Sequence, residues 1–472
     1  MIPYKKSAYD LLHKGTLALS IVEENGLRID EEYLNNAIKK TEREIKSLQE
    51  KQKESKVYKI WRQTFGRKMN LESNDQLGAI LFDKMGYEAS SLTPTGKPKT
   101  NEEALGFVDD PFVEKYLEIK KLQKALSTYL RGIQREIVDG FIHPFFSLGT
   151  TTTYRSSSQS PNFQNIPIRN PVIGKLVRSA FVARPGRRIV EIDYSGMEVG
   201  AAACYHKDPN MMNYINDKSK DMHRDMAAKC YKLEQKEITK DTRFCGKSGF
   251  VFPQFYGDWY IDCARNLWEY IDTLDLKTVS GIPLKEHLKS QGIQRLGDLN
   301  PKEKPNSGTF EKHIQEVEQD FWNMRFPVYS KWKKQWVKKY QQKGFMKTKT
   351  GFICQGFMKT NEIINYPVQG SAFHCLLWAL IRLVLLELPK RKMKTLIVGQ
   401  IHDSIVADVP DNEIQEFLSL ANYVMTKMIR KAFKWLIVPL EIEAEVSPID
   451  GSWAEKKEWI YKNGLWQENK KE

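Results

Sequence analysis

The chain has 472 residues, 41% of them hydrophobic and 28% charged, a balance that fits a folded globular protein and excludes a disordered or fibrous one. Lysine and arginine number 73 against 59 acidic residues, a net charge of +14 that suits a polyanionic partner or a Lys-rich soluble surface. The longest apolar stretch, Leu376 to Leu388, is interrupted by Arg382 and falls short of the ~20 residues of a membrane span; the start, MIPYKKSAYD, has no apolar core of a signal peptide, so the protein is expected to stay where it is made.

In chain order, the first strong element is a long polar helix from Asp30 to about Glu54, opened by an Ile29-Asp30-Glu31-Glu32 cap and carrying Leu34, Ile38, Ile45 and Leu48 at helical spacing. A second helical block, Phe112 to Val138, follows a Pro/Gly/Thr loop that starts at Leu92, and together the two helical stretches suggest a protruding subdomain. From about 145 to 200 the character changes: a Ser/Thr/Asn-rich stretch from Thr150 to Pro167 precedes Arg188-Ile-Val-Glu-Ile-Asp, which alternates as a strand. Helices return from Asp221 to Phe255, and residues 273–307 hold six Gly and Pro residues that mark an inserted loop or small subdomain. The helix from Lys331 to Tyr340 interleaves lysines with aromatics, the pattern either of a nucleic-acid stripe or of a helix with tryptophans packed inward and lysines solvated. Leu396 to Val409 reads as two apolar strands around a tight polar turn. The six cysteines form no C-x-x-C pair and are expected as reduced, packed thiols.

Two carboxylates stand out. Asp193 ends one apolar strand and Asp403 sits in the turn of a hairpin, positions from which a rigid backbone can project an oxygen ligand into a cleft, as a two-metal phosphoryl-transfer site requires. Taken singly, each is also an ordinary turn or strand-end aspartate. Arg243 and Lys247, four apart on one helical face, can hold a triphosphate, with aromatics farther along the element to stack on a base.

Four motifs in order, YRSSSQSPNFQNIP (154–167), IVEIDYSGMEV (189–199), R-x-x-x-K…YG (243–257) and QIHDSIVADV (400–409), with KDMHRDMAAKCY (220–231) and NYPVQGSA (365–372), resemble the polymerase domain of family A DNA polymerases, the bacterial DNA polymerase I type. The resemblance implies an α+β right-hand fold with an antiparallel-sheet palm, a helical thumb and helical fingers. Residues 1–130 would be an N-terminal segment and thumb, 131–204 the first part of the palm, 205–361 the fingers with an insertion near 270–310, and 362–472 the rest of the palm. It further implies template-directed DNA synthesis, with Asp193, Asp403 and the Tyr194 carbonyl holding two Mg²⁺ ions, for which Mn²⁺ can substitute. Arg243, Lys247 and His223 would hold the incoming deoxynucleoside triphosphate, with Lys247 acting in catalysis, and Tyr256 would lie against the base pair. Glu198 would exclude a ribose 2′-hydroxyl, and Arg155, Asn162, Gln164, Asn365, Gln369 and His402 would contact primer-template DNA. The expected enzyme is a monomer of a viral or organellar replication system, in host cytoplasm or organelle matrix.

The sequence departs from the family pattern in four places. Nine positions separate Lys247 from Tyr256 where the family usually has eight, and Pro253 within this helix predicts a kink or bulge, leaving Phe252 preferred over Val251 as the stacking residue. Ser404 follows Asp403 where a Glu is usual, so the third acid is dispensable or the site weaker. The 258–320 block is roughly 40 residues longer than usual. Thumb-like helices begin almost at once, with no room for a 3′–5′ exonuclease domain, so proofreading is expected on a separate chain or a removed segment, and a separate processivity factor is an open partner. Two rival readings are a single-subunit RNA polymerase of the phage and mitochondrial type, which shares His-Asp-Ser in this turn, and a catalytically inactive primer-template binding protein.

Overall fold

The computed structural model describes residues 1–470 except Pro94 and Arg169; Pro94 of the loop that starts at Leu92, and the last two residues of the 362–472 segment, therefore lie outside the described residues. Its centre is a six-stranded, wholly antiparallel sheet built from β1 (Arg187–Tyr194), β2 (Leu396–Ile401), β3 (Ser404–Pro410), β4 (Ile442–Val446), β5 (Lys457–Lys462) and β6 (Leu465–Glu468), in the spatial order β6-β5-β4-β1-β3-β2. The strand read from its alternation, β1, lies in its middle, with β3 of the expected hairpin beside it and β2 at the edge. β1 pairs with β3 so that Asp193 faces Ser404 and Glu191 faces Val406, and on its other edge Asp193 faces Glu443 of β4. In an antiparallel pair, residues directly opposite share a face, so this register gathers Glu191, Asp193, Ser404 and Glu443 on one side of the sheet.

β2 and β3 form the expected hairpin, with Ser404 opposite Ile401 and His402-Asp403 as the turn. His402 takes a positive φ of 47°, and the Gln400 side-chain amide donates to its carbonyl at 2.6 Å, fixing a left-handed residue that a longer side chain adopts only with such support.

Beneath the sheet runs one continuous helical rod, Thr360–Arg391, 32 residues long with mean hydropathy 1.7 in its most apolar window. The sequence reading, limited to Leu376–Leu388, put this segment below spanning length; the rod is long and apolar enough by that test, but 78% of the window is buried inside the protein, where it packs against the Lys6–Asn25, Met197–His206 and Pro327–Lys343 helices as a core helix. Pro367 sits inside it and cannot donate to the Ile363 carbonyl; the indole N–H of Trp336 donates there instead, at 3.0 Å. Trp336 also stacks on Trp332, 5.0 Å between centroids. The lysine–aromatic helix, Pro327–Lys343, thus packs these two tryptophans against each other, and Lys333 lies over the Trp322 ring.

The two helical stretches near the start are present. Glu31–Lys53 is capped by Asp30, which accepts from the Tyr33 N–H at 2.9 Å, and Pro111–Lys124 continues through a wide turn to Arg135. Residues 57–117 bury a core of their own around Trp61, Leu77 and Phe112, separate from the large core shared by the rest of the chain. The inserted segment is ordered and joins the main core: Leu284–Ser290 is a helix whose Leu284 and Leu288 are buried, and Leu276 and Ile293 on either side of it are buried in the same cluster. The buried Glu311 carboxylate ties it down by accepting the Leu299 N–H at 3.0 Å. All six cysteines are free and buried.

Candidate active site

The site lies where the end of β1, the β2–β3 turn and the helices that follow motif 189–199 meet. After β1 the chain turns at Gly196, whose left-handed φ of 64° lets the Met197–His206 helix start at once. Glu198 therefore projects from the first turn of a helix, not from a strand end. Together with Tyr194, Phe252, Tyr256, Gln369 and Asp403 it lines a cavity of about 270 Å³.

The acidic side of this cavity is under-compensated. One carboxylate oxygen of Asp193, Oδ1, is buried without a hydrogen-bond partner among the described residues. Burial first, then the neighbouring Asp403 and Glu191 charges, push the Asp193 carboxyl up to about 7. Burial also raises Asp403, against the opposing charge of Arg155. Arg155 is the cation between the motifs: its guanidinium lies 3.3 Å from Glu198 Oε1 and 3.7 Å from Asp403 Oδ1. An all-oxygen pair with an unfilled buried acceptor is what a hard divalent cation fits, since Mg²⁺ needs only one or two carboxylates and completes its shell with water and substrate phosphates. Among the described residues no cluster of three or more His, Cys, Asp or Glu side chains forms a self-sufficient metal cage, as the serine at 404 implies.

The fingers side is differently arranged. The Lys240–Cys245 helix widens into a π-helical segment, Gly246–Val251, before Phe252–Tyr256 resumes α geometry; the Phe252 N–H donates to the Lys247 carbonyl, five residues back. The residue in excess of the family spacing is absorbed by this bulge, and Pro253 falls at the start of the resumed helix, where its missing N–H costs least. The outcome separates the two candidates for stacking: Val251 is fully buried in the core, while Phe252 faces the cavity, edge-on to His223 at 5.6 Å and with Lys247 Nζ 5.1 Å from its ring.

His223 and Arg243 line an adjoining groove of about 530 Å³ that shares Gly196, Val199 and Phe255 with the cavity. Burial, then the Arg243 and Lys247 charges, bring His223 down to about 4, leaving a neutral imidazole. Arg243 is engaged by Asp221 at 2.5 Å. Across the cavity, the Tyr256 hydroxyl donates to Glu198 Oε2 at 2.7 Å, so the aromatic and the acid form one wall. The Tyr256 backbone is latched to the core helix by Asn365, whose amide donates to its carbonyl at 3.1 Å.

The remaining candidates divide. Gln369 lines the cavity and His402 lies at the turn beside Asp403. Asn162 accepts from Ser158 at 3.2 Å. Gln164 is buried, and its amide lies 2.7 Å from Ser156 Oγ and 2.8 Å from Gln400 Oε1, so it supports β2 from below and offers no free donor to the cleft. The sequence reading missed Asp221, Gln400 and the buried Glu191–Lys456 pair; a charged residue inside the apolar run Ile189–Ile192 was the available signal for the last.

A model of DNA polymerase family A matches residues 31–269 and 311–455, leaving the inserted 270–310 segment and the last strands outside it. The DNA polymerase of Bacillus phage SP01 is 28% identical over 407 residues, covering 81% of this chain and 40% of the phage protein. The thermostable DNA polymerase I of Thermus filiformis is 27% identical over 457 residues, covering 93% of this chain and 47% of its own length. The chain thus spans less than half the length of these curated relatives. Among solved structures, the polymerase domain of Pol1 from M. smegmatis, in complex with DNA primer-template and dNTP, superposes with a TM-score of 0.72 over 94% of this chain and 70% of that one, at 22% identity.

Proposed function

The chain belongs to DNA polymerase family A, and from that premise we propose that it performs template-directed DNA synthesis, adding deoxynucleoside triphosphates to a primer 3′-hydroxyl with release of pyrophosphate. The observation that carries the reading is the meeting, around one cavity and its adjoining groove, of Asp403 with Glu198, Tyr256, Phe252, His223 and Arg243, with Asp193 behind them close enough for its charge to interact with that of Asp403.

In this reading Arg243, Lys247 and neutral His223 bind the triphosphate, guanidinium and ammonium by charge and the imidazole by a hydrogen bond. Arg243 exchanges Asp221 for phosphate oxygens as it does so. Phe252 and Tyr256 place apolar faces against the base and the nascent pair. Glu198, held by Tyr256, occupies the space a 2′-hydroxyl would need. Asp193, Asp403 and the Tyr194 carbonyl are the residues that would hold divalent ions. When bound, two Mg²⁺ ions lower the pKa of the primer 3′-hydroxyl and neutralise the triphosphate and leaving pyrophosphate. Lys247 adds a compact cation beside the leaving group. Arg155, Asn365, Gln369 and His402 are proposed to face the primer-template, whose minor-groove acceptors allow pair geometry to be tested without reading sequence. We place the enzyme in replication of a viral or organellar genome, as a monomer in host cytoplasm or organelle matrix; the similarity to a phage polymerase supports that setting.

Primer extension with each nucleotide and template type tests the proposal. Extension of a DNA primer with dNTPs on a DNA template is expected. Primer-independent synthesis from rNTPs would replace it with the RNA polymerase reading, and tight primer-template binding without any extension would replace it with an inactive binding protein.

A further inference from the structure

Below the Asp403 turn, on the face that carries Asp193, lies a buried charge cluster that the proposed chemistry does not use. Glu191 stands two residues before Asp193 on β1, so both side chains point to the same face. Its Oε2 accepts the Trp453 indole N–H at 2.9 Å and is in contact with the Lys456 ammonium, which also reaches Glu445 Oε2 at 2.6 Å. Its other oxygen, Oε1, lies 3.2 Å from the Ser404 hydroxyl, which is also 3.0 Å from the Ile401 carbonyl. The single Ser404 hydroxyl proton is shared between the Glu191 carboxylate on β1 and the Ile401 carbonyl before the turn, so the carboxylate meets the His402–Asp403 turn at its Ser404 end. The Lys456 side chain is only 7% exposed. It is the first residue beyond the family match, at the base of the β5–β6 hairpin that extends the sheet.

By the family resemblance of the QIHDSIVADV motif, Ser404 stands where a glutamate is usual. We propose that Glu191 is a positioning residue for the candidate metal face: the acid usual after Asp403 is displaced onto the neighbouring strand, where Ser404 links it to the turn and Lys456, at the base of the C-terminal hairpin, offsets its charge together with Arg178, 4.0 Å away. This rests on the reading of Asp193 and Asp403 as ion-holding carboxylates. Three features favour it over a purely structural ion pair. Glu191 is cross-linked to the turn itself, not only to the scaffold. Its counter-ion lies on a segment outside the family match. The missing and the added acid are cross-strand neighbours on one face of the sheet.

The consequence is a sign-specific dependence of metal binding on the pair. The cluster of Glu191 and Glu445 with Lys456 and Arg178 is neutral as a whole, so removing the Glu191 carboxylate alone leaves it with an excess positive charge, whereas removing the Lys456 ammonium alone leaves it with an excess negative charge. Mn²⁺ binding to the full chain, followed by electron paramagnetic resonance without DNA or nucleotide, reads this directly. Glu191→Gln should weaken binding by about tenfold and Lys456→Met should strengthen it, while the double variant returns to within about twofold of the wild type. Glu191→Gln/Ser404→Glu, which moves the acid back beside Asp403, should recover affinity relative to Glu191→Gln. Thermal melts on the same samples show whether each variant is folded, and the two double variants keep the test available where a single variant is not. Shifts of the two single variants in the same direction, no shift in either, or no recovery in the double variants would overturn the proposal. If the shifts hold while the wild type fails to extend a primer, the polymerase reading falls and the role of Glu191 at the metal face stands.

Discussion

The palm and the fingers bring opposite electrostatic conditions to the same cavity. On the palm, Asp193 and Asp403 are buried close enough for their charges to interact, Arg155 reaches Asp403 and Glu198 but not Asp193, one Asp193 oxygen has no partner among the described residues, and both carboxyls are pushed upward. On the fingers, Arg243 already has Asp221 and the Lys247 ammonium already lies by an aromatic ring. On the proposed reading the difference teaches where binding energy goes: the acidic side gains on receiving cations, whereas the Arg243 side must exchange partners to take a substrate, which favours discrimination.

The largest effect should come from removing the palm's deficit. Asp193→Asn is expected to cut primer extension on the order of a thousandfold or more, with primer-template affinity kept, because the reaction loses an ion-holding oxygen while phosphate contacts remain; gel-based extension and fluorescence-anisotropy binding separate the two. On the fingers, Lys247→Ala should lower the rate of nucleotide addition on the order of a hundredfold, read by rapid quench. Next, Glu198→Ala should raise ribonucleotide use relative to deoxynucleotide use by roughly ten- to a hundredfold, since it opens the wall shared with Tyr256; an unchanged ratio of kcat/KM values would place sugar selection elsewhere. Asp221→Asn, which frees Arg243 in advance, should lower the dNTP KM by only about two- to fivefold, the scale of a partly exposed ion pair.

A final expectation concerns pH. The Asp193 carboxyl, at about 7 in the fold against 3.8 ordinarily, keeps its proton on folding through a range in which the unfolded chain has lost it. Its contribution to stability is therefore full below about pH 4 and is lost as pH rises through about 7. With chelator present, the melting-temperature advantage of Asp193→Asn over the wild type should grow between pH 5 and pH 8, by about 2–4 °C. A constant difference would mean that the palm carboxylates are compensated without metal.

Much of this arrangement is legible in the sequence, and what is not has a common physical cause. The strand before Asp193, the hairpin around Asp403, the capped helix after Asp30 and the inserted segment all follow from local periodicity, turn residues and spacing, and the ordered motifs name the fold. The extra residue before Tyr256 also announces a helix irregularity, and the structure adds that a π-bulge absorbs it and buries Val251 instead of Phe252. Partnerships across the fold are what local pattern cannot supply. Glu191 and Lys456 are 265 positions apart, and their contact depends on a strand register that only the assembled sheet defines. The same holds for Trp336, whose indole serves a carbonyl freed by Pro367, and for Gln164, whose burial under β2 is invisible in a motif that elsewhere implies contact with DNA. That Glu198 stands in the first turn of a helix is likewise set by Gly196, which starts the helix directly after the strand.

The most direct test of the palm as the reaction centre is single-nucleotide addition to a DNA primer-template in Mg²⁺, with wild type and Asp403→Asn side by side and primer-template Kd measured on the same preparations. The account predicts addition of the complementary deoxynucleotide by the wild type, its loss in the variant, and an unchanged Kd. Equal addition by both proteins would contradict it.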